Sequence, residues 1–282
     1  MNLSDINTIK SILNKYGFTF KKSLGQNFLI DSSVCPKMAD ASADKSTGVL
    51  EIGPGIGVLT TELSKVAKKV VTIELDERLK DVLSYTLSDC DNVKVIFGDA
   101  MKLDLKSIIK ENLSDCDKVA VCANLPYYIT SPIIMMLLES RLPIDSITVM
   151  VQLEAAKRLC AKVGTRDSGA VTAAVNYYAE SEIIFNVGRE SFLPSPNVDS
   201  AVIKLNLRDN PPVTVKSEEK FFKLIKSCFA QRRKTLVNTV SNTLGVDKQL
   251  IRDSLKTLGL KETVRGEELT MEQLAALSDL IM

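Results

Sequence analysis

Apolar positions along the chain switch between two periods. At 48–52, 69–75, 93–97, 118–123 and 146–152 they form short, nearly continuous runs, as in strands buried on both faces. Between them, 58–67, 77–87 and 131–139 repeat at helical spacing. Short strands alternating with helices predict an α/β fold with a parallel sheet. Ahead of the first strand, Ser4 is positioned to cap a helix with Ile6, Ile9, Leu13 and Tyr16 on one face, ending at Gly17. The pattern changes after Leu153. A basic, helix-like stretch holds Lys157, Arg158 and Lys162. The runs 175–187 and 201–207 then alternate as strands, predicting an antiparallel addition at the sheet edge. Asn210-Pro211-Pro212 reads as a linker. Beyond it, 221–230, 234–244, 248–258 and 271–280 are all helical in period, which predicts a small all-helical domain.

The 282 residues suit one large and one small domain: residues 1–208 and 209–282. With 36 Lys and Arg against 35 Asp and Glu, net charge names no partner, and any nucleic-acid contact has to come from local patches. The chain has no histidine, which removes the commonest general base and the commonest metal ligand. Cys35, Cys90, Cys116, Cys122, Cys160 and Cys228 are dispersed without a CxxC pair. They read as reduced thiols, with no metal site expected. No secretory or membrane-length apolar stretch is visible, so the expectation is a cytoplasmic, monomeric protein with no membrane partner.

Candidate chemistry begins after the first strand, in Glu51-Ile52-Gly53-Pro54-Gly55-Ile56-Gly57. Glycines there allow a sharp turn and close approach to a ligand. Glu74, 21 residues after Gly53, ends the second strand, where a carboxylate can accept bonds from ribose hydroxyls. Asp99 follows the third strand and suits an adenine amino group. Two cofactor classes compete. A dinucleotide site expects G-x-G-x-x-G with a helix N-terminus on a pyrophosphate. Here the third glycine comes one position early, and Glu51 adjoins the loop, which suits the cationic, phosphate-free S-adenosyl-L-methionine. A plain tight turn would explain the glycines but not Glu74 and Asp99. Asp104 reads as a solvated surface charge.

Asn124-Leu125-Pro126-Tyr127 follows the fourth strand, at the sheet end where ligands bind. Its chemistry fits an exocyclic amine whose lone pair is delocalised into a ring. Asn124 Oδ1 and the Leu125 carbonyl can accept the two N–H groups, and Tyr127 can stack on the ring. Catalysis then rests on positioning, with no strong base and no metal. Read alone, the same four residues also make an ordinary strand-end turn.

Together these residues resemble the KsgA family of small-subunit ribosomal RNA adenine dimethyltransferases, with Erm and mitochondrial transcription-factor-B relatives. The resemblance rests on the ordered set Lys22-Ser23-Leu24-Gly25-Gln26-Asn27-Phe28-Leu29, Glu51-Ile52-Gly53-Pro54-Gly55, Ile73-Glu74-Leu75-Asp76, Gly98-Asp99-Ala100, Asn124-Leu125-Pro126-Tyr127 and 192–200, Phe-Leu-Pro-Ser-Pro-Asn-Val-Asp-Ser. It implies a Rossmann-like methyltransferase domain followed by a helical RNA-recognition domain. It also implies cofactor contacts at Asn27, Leu29, Gly53, Glu74, Asp99 and Asn124, and Phe192 as a second aromatic face for a flipped base. The implied substrate is a pair of adjacent adenines near the 3′ end of small-subunit RNA, within a pre-ribosomal particle. Tyr128 departs from the family, where an Asn often follows the tyrosine. Lys21 and Lys22, the group Lys157, Arg158, Lys162 and Arg166, and the stretch 216–234 are candidate phosphate contacts, or else solvated faces. Near-zero overall charge favours a structured particle over free RNA. The competing readings are an Erm-type enzyme acting on large-subunit RNA, a non-catalytic assembly or transcription factor, and a dehydrogenase.

Overall fold

The computed structural model describes residues 3–17, 28–231 and 233–282. It separates into two compact units: 1–156 with 182–207, and 157–181 with 208–282. The expected cut at 208/209 lies one residue from one of three crossings between them. Residues 157–181 pack with the C-terminal helices instead of with the sheet.

The first unit opens with α1 (Ile6–Lys15), capped by Asp5, which accepts the Thr8 N–H at 2.8 Å. Asp5 thus takes the capping role expected of Ser4. After β1 (Phe28–Leu29), a helix absent from the apolar pattern, α2 (Val34–Ser42), precedes β2 (Thr47–Ile52). Then follow α3 (Val58–Val66), β3 (Lys69–Glu74), α4 (Lys80–Thr86) and β4 (Val93–Phe97). Next are α5 (Leu105–Leu113), β5 (Lys118–Asn124), α6 (Tyr127–Glu139) and β6 (Ser146–Gln152). Asp104 is exposed, as expected of a solvated charge, yet it also caps α5 by accepting the Ser107 N–H at 3.0 Å.

The second unit takes in α7 (Leu153–Leu159) from Lys157 onward, and α8 (Ala170–Tyr178). The alternation from Val175 predicts strand, but 170–178 is helix and only β7 (Ala179–Val187) is extended. Alanines at 170, 173 and 174 favour helix, and the turn buries Tyr177 against Phe221 and Phe222, ring centroids 5.5 and 5.2 Å away. Tertiary packing overrides the period-two signal there. After β8 (Phe192–Leu193) and β9 (Ser200–Leu207), helices α9 (Glu218–Cys228), α10 (Leu236–Leu244), α11 (Lys248–Thr257) and α12 (Met271–Ile281) complete the second unit. No described helix is long and apolar enough to cross a membrane.

The seven-stranded sheet runs β4-β3-β2-β5-β6-β9-β7. The five strands from β4 to β6 are parallel, and β9 joins β6 antiparallel, as the edge addition expected from 201–207. β2 and β5 are buried along nearly their whole length, as helices on both faces require. Chain order reverses between β2 and β5. Such a switch point leaves a crevice beyond the carboxyl ends of the strands.

Charge divides unevenly. The second unit holds 17 Lys and Arg against 12 Asp and Glu, while the first holds 19 against 23. Two of the three basic groups singled out in the sequence, 157–166 and 216–234, fall in the second unit. The near-neutral total therefore conceals a basic helical unit and an acidic sheet unit.

Candidate active site

Four adjacent strands deliver four motifs to one sheet end. β4 leads to Asp99, β3 ends at Glu74, β2 leads to Gly53, and β5 ends at Asn124. In-register pairing of Glu74 with Phe97, and of Ile52 with Ile73 and Ala123, sets these ends side by side. At about 4.8 Å per strand the row spans roughly 14 Å. It borders a cavity of about 390 Å³ lined by Gly53, Gly55, Glu74, Asp99, Asn124 and Tyr127 among others.

On the glycine side, Gly53 and Gly55 have φ of 74° and 59°, a region that L side chains rarely adopt. The Gly53 N–H donates to the Ile73 carbonyl at 2.9 Å, tying the loop to β3. Glu74 is held by two backbone donors: Gly55 N–H to Oε2 at 3.1 Å and Asp76 N–H to Oε1 at 2.8 Å. Burial pushes its carboxyl above the ordinary range, against those two donors, which pull it down. Asp99 Oδ1 accepts the Met101 N–H at 3.0 Å. Leu75 and Met101, each close in sequence to one of these carboxylates, are 60 % and 46 % exposed and line the cavity, offering apolar surface to a flat ring. Apolar periodicity does not single them out. Their only signal in the sequence is their place beside the motif carboxylates.

Glu51 departs from expectation. It does not line the cavity and is fully buried, with Oε2 accepting the Thr60 hydroxyl at 2.7 Å. Burial raises its carboxyl to about 7, against that hydrogen bond. Its carboxylate bonds to α3 inside the core.

On the other side, Leu125 is buried, within 3.7 Å of where a Gly53 Cβ would stand, so the glycine loop and the Asn-Leu-Pro-Tyr turn pack on each other. Pro126 caps α6, which begins at Tyr127, four residues earlier than expected. The Asn124 side chain makes no hydrogen bond to another described residue. Leu29 and Phe192 both line the cavity and are cross-strand partners in the antiparallel β1–β8 pair. Phe192 is only 4 % exposed and packs in a core cluster with Leu29, Cys35 and Met38. Tyr128 is 60 % exposed and lines the cavity, so it is not a core residue. Asn27, Lys21 and Lys22 lie outside the described residues.

Among the described residues, no lysine or arginine lines the cavity, and three carboxylates, Glu74, Asp76 and Asp99, do so in sequence order. A pyrophosphate finds no counter-charge among these lining residues. A cationic, phosphate-free nucleoside finds carboxylates for its ribose and amino groups and apolar faces for its ring. The residues present therefore fit S-adenosyl-L-methionine.

Residues 17–282 match the ribosomal RNA adenine dimethylase family. Ribosomal RNA small subunit methyltransferase A of Geobacillus thermodenitrificans is 51% identical over 277 residues, covering 97% of this chain and 94% of its own. Its namesake in Bacillus licheniformis is 50% identical over 274 residues, covering 96% and 94%. Among solved structures, a dimethyladenosine transferase from Plasmodium falciparum aligns with TM-score 0.72 at 29% identity, covering 86% of this chain and 93% of that one. The 23S rRNA methyltransferase ErmE aligns at 0.67 and 26%, covering 89% and 98%. The chain belongs to the ribosomal RNA adenine dimethylase family and is an S-adenosyl-L-methionine-dependent rRNA adenine dimethyltransferase.

Proposed function

We propose that this dimethyltransferase acts on the N6 of two adjacent adenosines near the 3′ end of small-subunit (16S) ribosomal RNA. In this reading it works as a cytoplasmic monomer, late in biogenesis, on a pre-ribosomal small subunit and not on free RNA. The observation that carries the reading is the convergence of Glu74, Asp99 and the Asn124–Tyr127 turn on one cavity that no lysine or arginine lines among the described residues. The relatives about 50% identical are small-subunit methyltransferases, whereas the large-subunit enzyme ErmE is 26% identical.

S-adenosyl-L-methionine, when bound, supplies an electrophilic methyl group. Gly53 and Gly55 let the backbone approach it, Glu74 accepts from its ribose, Asp99 accepts from its adenine amino group, and Leu29 packs against it. Asn27 and Asn124 complete the contacts. Asn124 Oδ1 and the Leu125 carbonyl accept the two N–H groups of the target adenine, which localises the N6 lone pair toward the methyl. Pro126 fixes the turn that aims both acceptors. Tyr127 and Phe192 enclose the ring, recovering part of the few kcal/mol that unstacking the base costs. The nitrogen would be cationic and acidic once methylated and would give its proton to water, so the chain needs no strong base.

The basic helical unit supports the RNA-recognition role of 209–282, and it extends that role to 157–181. Phosphate contacts from it give a salt-sensitive affinity.

The test supplies labelled S-adenosyl-L-methionine with unmodified small subunits, naked small-subunit RNA or large-subunit RNA, followed by nucleoside analysis. We expect N6,N6-dimethyladenosine only with the small subunit. Equal labelling of naked RNA removes the particle requirement, and label on large-subunit RNA moves the enzyme to the Erm type.

A further inference from the structure

The aromatic side of the cavity is held by a residue that lies outside the cavity lining. Tyr127 is the first residue of α6, and its hydroxyl lies 2.7 Å from Ser200 Oγ. Ser200 is completely buried at the start of β9, opposite Gln152 of β6. The pair spans 73 residues of chain, so no local turn accounts for it.

The segment that carries Ser200 also carries Phe192, and it is closed on itself. Arg189 Nε donates to Asp199 Oδ1 at 3.0 Å, and Arg189 Nη1 donates to the Asn197 carbonyl at 3.0 Å. The Ser195 hydroxyl donates to the Arg189 carbonyl at 2.9 Å. The Leu153 N–H donates to the Asp199 carbonyl at 2.9 Å, anchoring the far end next to β6. Phe192 itself is fixed by the pairing of β8 with β1.

We propose that Ser200 is a positioning residue: its hydroxyl fixes the tip of the Tyr127 ring, so that 189–200 sets both aromatic walls of the base site. It rests on the reading that Tyr127 stacks on the target base. A tyrosine held only at its Cα keeps side-chain torsional freedom, and a bond at the far end of the ring removes it. Rings that must hold a base in line for methyl transfer gain from that second anchor, because positioning is most of the catalysis. A bond that merely satisfied two buried hydroxyls would affect stability and leave the rate untouched.

The experiment measures single-turnover methylation of unmodified small subunits by the full-length chain. The variants are Ser200→Ala, Tyr127→Phe, the double variant and Tyr127→Ala, with cofactor affinity taken by calorimetry without RNA. One net hydrogen bond corresponds to a loss of about three- to tenfold. We expect Ser200→Ala and Tyr127→Phe each to slow the methyl-transfer step by that much. The double variant should be no slower than either single one, and cofactor affinity should be unchanged. A wild-type rate in Ser200→Ala, or losses that multiply in the double variant, overturns the proposal. If Ser200→Ala does not fold, Tyr127→Phe decides alone: a wild-type rate overturns it and a three- to tenfold loss supports it. A wild-type rate in Tyr127→Ala instead overturns the base-stacking reading itself.

Discussion

The two sides of the cavity are built by different means. On the glycine side, the ligand-facing groups are backbone and short carboxylates at the ends of β2, β3 and β4, all within residues 51–101. They are tied together by main-chain donors, such as Gly55 to Glu74 at 3.1 Å and Gly53 to Ile73 at 2.9 Å. On the aromatic side, two rings come from segments far apart in sequence, at 127 and 192: a side-chain bond holds Tyr127, and the β1–β8 pair with the Arg189–Asp199 bond holds the segment of Phe192. A side built from neighbouring strand ends is rigid once the sheet forms. A side built from two distant segments depends on individual contacts, so single substitutions there should alter catalysis without altering cofactor affinity.

The largest effect expected from that division is at Asn124. In the proposed mechanism, Asn124→Ala removes an acceptor that acts on the reacting amine and leaves the glycine loop and Glu74 in place. We expect methyl transfer to fall by about a thousandfold, roughly 4 kcal/mol. Cofactor affinity, measured by calorimetry, should change by no more than several-fold. A comparable loss in both quantities would show that Asn124 belongs to the cofactor side and that the two sides are not separable there.

The same division explains what the sequence reveals. Gly53, Gly55, Glu74 and Asp99 are legible because strand-end spacing in a parallel sheet converts directly into proximity: each motif sits one strand over from the next. Asn124 and Tyr127 follow the same rule. Ser200 is invisible to it, since nothing in an alternating run near 201–207 says that its first hydroxyl reaches a ring 73 residues earlier. Glu51 shows the opposite failure. It is adjacent to the glycine loop in sequence, but it lies on a strand, where successive side chains alternate faces, and a neighbour of a ligand-binding residue can point into the core. The helix at 170–178 was hidden for a similar reason, because three alternating apolar positions at 175, 177 and 179 match a strand until packing on Phe221 is considered.

Glu51 also yields the next largest effect, on stability. Burial lifts its carboxyl to about 7, from an ordinary 4.5. The groups bearing on it are Glu74 and the thiols of Cys35 and Cys122, none of them positively charged. A raised carboxyl binds its proton more tightly in the folded state. Its contribution is therefore complete below about pH 4.5 and is lost as pH rises through about 7. The full difference is about 3 kcal/mol at most. In Glu51→Gln this dependence should disappear, so urea unfolding at pH 5 and pH 8 should show the variant gaining on the wild type at the higher pH. An identical pH dependence in the two proteins would mean that Glu51 ionises without penalty and is hydrated on the cofactor side after all.

The smallest effect tests the rigid side directly. In Glu74→Gln the side chain keeps its shape and one acceptor oxygen. Its new amide faces a backbone N–H, from either Gly55 or Asp76, that previously donated to a carboxylate oxygen. In the proposed binding mode one charge-assisted bond to the cofactor ribose is lost at the same time, which together amounts to about 2 kcal/mol, or a roughly thirtyfold weaker Kd for S-adenosyl-L-methionine. Because the proposed binding mode keeps Glu74 away from the reacting atoms, saturating cofactor should restore kcat to near the wild-type value, the signature of lost uniform binding. RNA affinity should not move, since the aromatic side and the basic helical unit are unaltered. A fall in kcat that excess cofactor does not rescue would place Glu74 in the methyl-transfer step. The glycine side would then be more than a cofactor cradle, and the contrast between the two sides would have to be redrawn as a difference of degree.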